Sequence, residues 1–441
     1  VSPVALSLLS ALVVLIAAWR ARLSEPDEAR WVALVGAVVA LLASIAALLW
    51  SLGGGQSVSA SLWGLTATAD RLSYTLAPSV SLSALAVIMA LPRRVAHSQA
   101  LSRALTRLAT TLLGLIAGDL LTVALAETLS GLVPALSVPS RPARVALWVS
   151  LGLMWLGVLA APSLALPAPE AGLGALPLTL FLAAAALRLG VPPLSTGLLD
   201  QLSRGLCASS VLLAAPLGGV VLLARVVHPG MHAHAEGAQL LTTALLALAL
   251  LAALTGITQR SLGRALGCSL AASHTLLMVG LIDPRSAAGF TGGELLWSAM
   301  LLAEVGLVLV YALVEARVGA LSLHTRHGLS DHMPKLARAG LLLSLSAAAL
   351  PGSLDFIAVE LLLSGEATHS VLGALLMSSA LSALAFGIVR VHFRVFFGPP
   401  SLPNARLEGL PRELVGLSLL LAALLAGGLA PSLLPLLRAA P

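Results

Sequence analysis

Apolar stretches about twenty residues long recur from one end of this chain to the other, and they leave the backbone few ways to fold. They run at about 2–19, 31–51, 72–91, 104–118, 119–137, 144–163, 174–190, 206–226, 238–258, 265–282, 293–317, 336–364, 370–391 and 414–436. Lipid offers no partner for N–H and C=O groups, so a spanning segment must be a helix or a strand of a closed barrel. These stretches are rich in Leu and Ala and lack alternation, which points to helices. Only 10% of the 441 residues are charged, against about 25% in a soluble domain, and the mean hydropathy is +1.00. The sequence therefore predicts an all-α, polytopic membrane protein. About fourteen transmembrane helices form a single integral domain over 1–441.

The stretch 104–137 reads either as two short spans turning at Gly118–Asp119 or as one long tilted helix. Loop charge decides between them. With the N-terminus outside and two spans here, the inside loops hold Arg20, Arg22 and Arg30; Arg93, Arg94 and Arg103; Arg141; Arg204; Arg260 and Arg264; Arg326 and Lys335; and Arg394, Arg406 and Arg412. The outside loops hold only Arg71, Arg285 and Arg438. This is the asymmetry of the positive-inside rule, and a single helix would invert every later loop. The net charge of +6 is thus spent on topology rather than on a nucleic acid. Val4–Trp19 reads as a first span, not a cleaved leader.

The chain carries no sign of redox or nucleotide chemistry. The polar stretches 52–70 and 392–413 are loop-sized, and no Walker loop, dinucleotide fingerprint or Cys/His cluster occurs. No cofactor, metal or catalytic residue is expected. Cys207 and Cys268 read as packing residues.

Two Pro/Gly breaks interrupt the spans. One is Pro216, Leu217, Gly218 and Gly219; the other is Pro351, Gly352 and Ser353. A broken helix frees backbone groups at membrane depth, which survive only against protein or a water-filled cavity. A pair of breaks in corresponding halves points to an ion or substrate path.

Ionisable residues inside apolar spans are costly, and each is a functional candidate. Arg188, Arg225, Glu315 and Arg390 lie near predicted span ends and are expected to snorkel. Asp119 is expected to cap a helix or sit in a turn. Glu127, His274, Glu304 and Glu360 have apolar residues on both sides for about two turns, and Asp355 and Glu360 follow the second break. Buried Glu and His can exchange protons near neutral pH. A proton path is therefore expected to use Glu127, Glu304, Asp355 and Glu360, with His274 either a relay or a packing residue.

Several segments resemble the antiporter-like membrane subunits of respiratory complex I. Gly328-Leu-Ser-Asp-His-Met-Pro-Lys-Leu-Ala, followed by Ala349-Leu-Pro-Gly-Ser-Leu-Asp-Phe356, is similar to that family's Gly-Leu, Met-Pro and Leu-Pro-Gly broken-helix signature. Asp70-Arg-Leu-Ser73, Ala117-Gly-Asp-Leu-Leu-Thr-Val, Gln259 to Ser269 and Arg394-Val-Phe-Phe-Gly398 resemble further family segments in order and spacing, over about 68–400. The resemblance implies two inverted repeats, near 104–226 and 238–391, each with a broken helix. It implies proton (or sodium) translocation along a central polar axis, beside other membrane subunits of a hetero-oligomeric complex in an energy-transducing, bacterial inner membrane. The short C-terminus matches the M- or N-type subunit better than the L-type. Carbon-uptake and cation/proton antiporter complexes share the fold, and a non-pumping scaffold is the reading from another class.

The chain departs from the family pattern at four positions. Two family lysines map to Leu217 and Gly263. The acid of the family's Trp-Glu pair maps to Thr128, with Glu127 in the tryptophan's place, and the titratable position after the second break maps to Val359, beside Glu360. One residue is about 100° on a helix, so this mapping turns both glutamates away from the family's axis.

Overall fold

The computed structural model describes residues 2–55, 57–62, 65–91, 97–138, 140–167, 172–204, 217–399 and 407–438. Two helices open the chain, α1 (Pro3–Leu23) and α2 (Pro26–Leu52). A short hairpin follows, β1 (Val58–Leu62) with β2 (Leu65–Ala69), antiparallel and paired from Val58↔Ala69 to Leu62↔Leu65. The sequence alone predicts a loop here. Its Ser/Thr alternation, Val-Ser-Ala-Ser-Leu and Leu-Thr-Ala-Thr-Ala, is the period of a strand.

Helices α3 (Arg71–Ala90), α4 (Ser98–Leu115), α5 (Leu120–Ser137), α6 (Arg141–Ala160), α7 (Ala175–Leu189) and α8 (Thr196–Ser203) come next. After the undescribed 205–216, helix resumes as α9 (Val220–Leu222), a π-helical turn (Leu223–Val227) and α10 (His228–Met231). Then come α11 (Ala235–Thr258), α12 (Leu262–Ile282), α13 (Ala287–Val318), α14 (Pro334–Ala347), α15 (Leu354–Ala367), α16 (Val371–Phe396), α17 (Pro411–Leu429) and the short α18 (Pro435–Arg438). Nine of the described helical stretches are long and apolar enough to cross a membrane.

Side-chain caps set several of the helix starts. Asp70 accepts from the Ser73 amide and Asp119 from the Thr122 amide, each in a reciprocal capping box. Asp119 also fixes the turn between α4 and α5 beneath the hairpin: its Oδ2 accepts the Thr66 amide (2.5 Å) and hydroxyl (2.9 Å). The stretch 104–137 is therefore two spans, turning where the sequence reading placed the turn.

Contacts between helix ends sort into two faces. On the face carrying the basic loops, Arg20 pairs with Glu28, Arg30 donates to the Met89 carbonyl, Ser140 donates to Asp200, and Arg317 pairs with Glu413. On the other face, Ala67 bridges Ala117, Asp119 bridges Ala165, Arg71 donates to the Pro435 carbonyl, His234 meets the Leu173 carbonyl, and Arg285 lies 3.9 Å from Glu366. Consecutive spans thus alternate in direction as loop charge predicts.

The two faces also identify which interruptions correspond, and here the structure corrects the sequence. α7 starts on the non-basic face and stops at mid-depth, where Gly190 is left-handed. After the Val191–Ser195 turn, α8 continues to the basic face. Together α7 and α8 are one interrupted span. α14 and α15 form the other, running in the opposite sense, with the break at 348–353 containing Pro351 and Gly352 (φ +92°). Each interrupted span is fourth in a run of five: α4, α5, α6, α7–α8 and the helix ending at Met231; then α11, α12, α13, α14–α15 and α16. The partner of the 348–353 break is thus 190–195, not 216–219. Gly190-Val-Pro-Pro was hidden because it falls where a span of ordinary length was already complete. Pro216 lies outside the described residues. Gly218 and Gly219 do form a bend, with Gly219 at φ +85°, directly before α9.

α12 and α13 are buried along their whole apolar windows, whereas α2, α6, α16 and α17 bury about a third of theirs. A helix apolar on every side belongs inside. His274 and Glu304 lie on this inner pair, Arg188 and Asp355 on the two interrupted spans around it, and Glu127 on α5.

Candidate functional site

On α5, Glu127 points inward and its carboxylate is buried. Its Oε2 lies 2.8 Å from Arg188 Nη1 at the end of α7, and both side chains are under 5% exposed. The same Oε2 accepts the Gly219 N–H at 3.1 Å, and Arg188 Nη1 also donates to the Glu127 carbonyl at 2.8 Å. Helix breaks supply two of these three elements: Arg188 lies in the last turn of α7, and Gly219 offers its amide directly before α9. A Cβ on Gly131 or Gly218 would stand 2.7 or 2.9 Å from the guanidinium, so the slot that holds Arg188 is closed by two glycines.

This arrangement corrects two expectations. Arg188 was expected to snorkel, yet it is fully inside and paired. The mapping by resemblance turns Glu127 away from the family's axis, yet Glu127 reaches inward and Thr128 is the residue turned aside: it donates to the Ala124 carbonyl and accepts from Trp155 Nε1 at 3.0 Å. An arginine reaching in from the α7 break meets Glu127 where the helix register places it.

The neighbouring residue to Arg188 extends the site. His274, buried on α12, donates from Nδ1 to the Leu189 carbonyl at 2.6 Å. That carbonyl ends α7 and has no helical partner of its own because of the break. The bond fixes the ring tautomer and leaves Nε2 the acceptor nitrogen of the neutral imidazole. Ser273, one residue away, is a side-chain hydrogen-bond partner of Glu304 on α13. Glu304 is 4% exposed, and its Oε2 has no hydrogen-bond partner among the described residues. Asp355, in the first turn of α15, lies in electrostatic reach of Glu304 and accepts from Ser346 Oγ at 2.8 Å across the second break.

Four of the five predicted residues, Glu127, His274, Glu304 and Asp355, are thus brought into one buried line. It begins at the α7–α8 break and ends at the α14–α15 break. The fifth, Glu360, does not join it. It stands exposed on α15, whereas the sequence places it on the path.

The structure adds charges that sequence reasoning missed. Arg107, buried on α4, lies in electrostatic reach of both Glu127 and Arg188. Glu294 is buried on α13. Both lie near the start of a predicted span, where a charge is easily read as a loop residue. Arg225 is a second correction to the snorkelling expectation: it sits buried in the π-helical turn and pairs with Asp70 through two 3.0 Å bonds. Glu315 and Arg390 are half-buried near helix ends, as expected.

A cavity of about 50 Å³ reaches Arg188 between α6, α7 and α8, lined in part by Gly190, Leu198 and Gln201. A site of that size admits water where polar groups face it, and Arg188 and Gln201 do. It shares Ala146, Leu187 and Leu194 with a larger cavity that extends to Arg141 on the basic face.

Comparisons with known proteins agree with this architecture. A family model described as NADH:quinone oxidoreductase/Mrp antiporter, transmembrane, matches residues 165–385. NAD(P)H-quinone oxidoreductase chain 4 2 of Synechococcus elongatus is 28% identical over 269 residues, covering 57% of this chain and 50% of the relative. Chain 4 of Acaryochloris marina is 26% identical over 268 residues, covering 58% and 50%. The chain spans about half the length of the curated relatives it matches. Among solved structures, a chain of the Mrp complex from a Dietzia species superposes with a TM-score of 0.81 at 16% identity, covering 98% of this chain and 94% of that one. A chain of respiratory complex I from Thermus thermophilus gives 0.80 at 19% identity, with 98% of each chain covered. One from the archaeal membrane-bound sulfane sulfur reductase gives 0.83 at 19%, covering 98% and 76%. With half of its length matched by the family model, the chain belongs to the NADH:quinone oxidoreductase/Mrp antiporter transmembrane family.

Proposed function

We propose that this chain is a proton-translocating, antiporter-like membrane subunit of a complex I-type assembly in an energy-transducing, bacterial inner membrane. The observation that carries the reading is the buried line itself. His274 ties the α7 break to α12, and Ser273 ties α12 to Glu304, beside Asp355 at the α14–α15 break. Buried ionisable groups are expensive at membrane depth and are retained where they handle ions. The repeats bounded near 104–226 and 238–391 each contribute one interrupted span to it.

The chemistry divides along the line. Glu304, Asp355 and His274 can each gain and lose a proton, so the half of the line beyond Arg188 is able to pass one between carboxylate, imidazole and water. Arg188 cannot: a guanidinium stays charged under all conditions a protein meets. Its part is to pair with the Glu127 side chain and to set a standing positive charge at the α7 break. A proton in the second half feels that charge. Any movement of Arg188 or Glu127 imposed by a neighbouring subunit changes the energy of protonating His274 and Glu304. Coupling through a partner therefore needs no redox group in this chain.

The fixed guanidinium also favours a second reading, a scaffold whose first half is closed and which packs against pumping neighbours. The two readings differ at Glu304. Glu304→Gln removes the titratable group and keeps the shape, so it stops proton flux in a pump and leaves a scaffold's assembly unaffected. Membership is tested by mild-detergent purification through a tag on this chain, with mass spectrometry of what accompanies it. Quinone- or flavin-binding subunits place it in a redox-driven pump. Antiporter subunits without redox centres, or a soluble metal-binding partner, move it to a cation-exchange or carbon-uptake assembly and overturn the complex I-type assignment.

A further inference from the structure

A second group of buried charges lies off the line described above, toward the face opposite the basic loops. Asp70 caps α3 and is 29% exposed at its side chain. Arg225 reaches it from the π-helical turn, with Nη1 and Nη2 each 3.0 Å from a carboxylate oxygen, and Nη2 also bonds the Leu115 carbonyl that ends α4. Arg225 Nε is buried and has no partner among the described residues. Glu294, buried on α13, lies in the field of Asp70, Arg71 and Arg225. Arg71 turns its Nε to the Pro435 carbonyl at the outer surface. Four residues further along α13, Ser298 meets Ser79 of α3 at 2.5 Å, so a hydroxyl pair continues inward from Glu294 between the same two helices.

Charge balance gives the group its function. Arg225 pairs with the partly exposed Asp70, keeps its Nε–H without a partner among the described residues, and lies in electrostatic reach of the buried Glu294. With both acids ionised, Arg225 stays on Asp70 and Arg71 turns to the Pro435 carbonyl, so the buried Glu294 has no ion-pair partner among the described residues. With one proton shared between them, the trio is neutral. The proton can sit on Glu294 while Arg225 clasps Asp70, or on Asp70 while Arg225 turns to Glu294.

We propose that Glu294 and Asp70, with Arg225 paired to Asp70 and in reach of Glu294, form a proton-release site on the face opposite the basic loops. In the step, the O–H bond of the Glu294 carboxyl breaks and its proton passes through water to the Asp70 carboxylate, where a new O–H bond forms. Arg225, always protonated, shifts toward the Glu294 carboxylate it now balances. Asp70 then gives the proton to outside water, and Glu294 is reprotonated from within. The proposal rests on the reading of the chain as a proton-translocating subunit, and it adds a route out that the Glu127–Asp355 line does not provide.

The test uses the native assembly, purified through a tag on this chain and reconstituted into vesicles, with proton flux followed under an imposed potassium-diffusion potential. Glu294→Gln is expected to lower flux by about a hundredfold, the scale of losing a positioned proton-transfer group. Glu294→Asp is expected to retain much of the flux. Infrared difference spectra on a pH jump in the outside medium are expected to show a protonated-carboxyl band that disappears in Glu294→Gln. If Glu294→Gln passes protons as the native protein does while Glu304→Gln does not, the release site is wrong and the function stands. If the native assembly passes no protons, both fall. If Glu294→Gln fails to assemble, the infrared band of the native protein and of Glu294→Asp decides: absence of an outside-titrating carboxyl overturns the proposal.

Discussion

Glu127 and Arg188 are held 2.8 Å apart in the interior, each closed off from solvent, with the carboxylate further bound by the Gly219 amide. Removing one partner strands the other charge. Arg188→Leu is expected to destabilise the fold by about 3–5 kcal/mol, the cost of breaking a buried pair. The double variant Glu127→Gln with Arg188→Leu is expected to recover part of that loss. Thermal unfolding of the detergent-purified protein reads both. Equal losses in the single and double variants would mean that the pair does not hold the interior together.

His274 contributes in two ways, and they separate by substitution. His274→Ala leaves the Leu189 carbonyl buried and unsatisfied, an expected cost of about 1–3 kcal/mol. His274→Gln can keep the bond to Leu189 but cannot exchange a proton. Restored melting with absent flux identifies a relay. Restored melting with restored flux identifies a packing residue.

Glu360 is the internal control. It is exposed on α15 while Asp355, five residues earlier, is buried against Ser346. Glu360→Gln is expected to leave flux and stability unchanged, and Asp355→Asn to abolish flux. Loss of flux in both would place Glu360 on a path that this chain forms only with a neighbour.

How much of this was legible in the sequence depended on the kind of signal. Span number and direction came from apolar length and arginine placement, because lipid enforces both at every residue. Glu304 and Asp355 stood out because apolar residues flank them on both sides. The corresponding break was misplaced. Pro216 to Gly219 is dense in Pro and Gly within an apolar stretch, whereas Gly190-Val-Pro-Pro follows a segment already long enough to cross. Arg188 was misread for the same reason: a residue near the end of an apparent span looks free to snorkel. Only the observation that α8 carries that span onward to Asp200 makes its end an interior point.

Gly263 shows a constraint of another type. A Cβ there would stand 2.0 Å from the Leu202 carbonyl of α8, so α8 and α12 touch backbone to backbone. The site to which the resemblance mapped a family lysine has no room for any side chain. Gly263→Ala is expected to cost about 1–3 kcal/mol through overpacking, or to separate α8 from α12. Thermal unfolding checks it, and a neutral result would contradict this close approach.

If the buried line moves protons, they pass through Glu304. The most direct measurement is proton flux into vesicles holding the tag-purified assembly, native against Glu304→Gln, with a trapped pH dye and an imposed membrane potential. A proton-conducting Glu304 gives flux in the native assembly and loss of about a hundredfold in the variant, with subunit composition unchanged. Equal flux in an intact Glu304→Gln assembly would contradict it and leave this chain a scaffold.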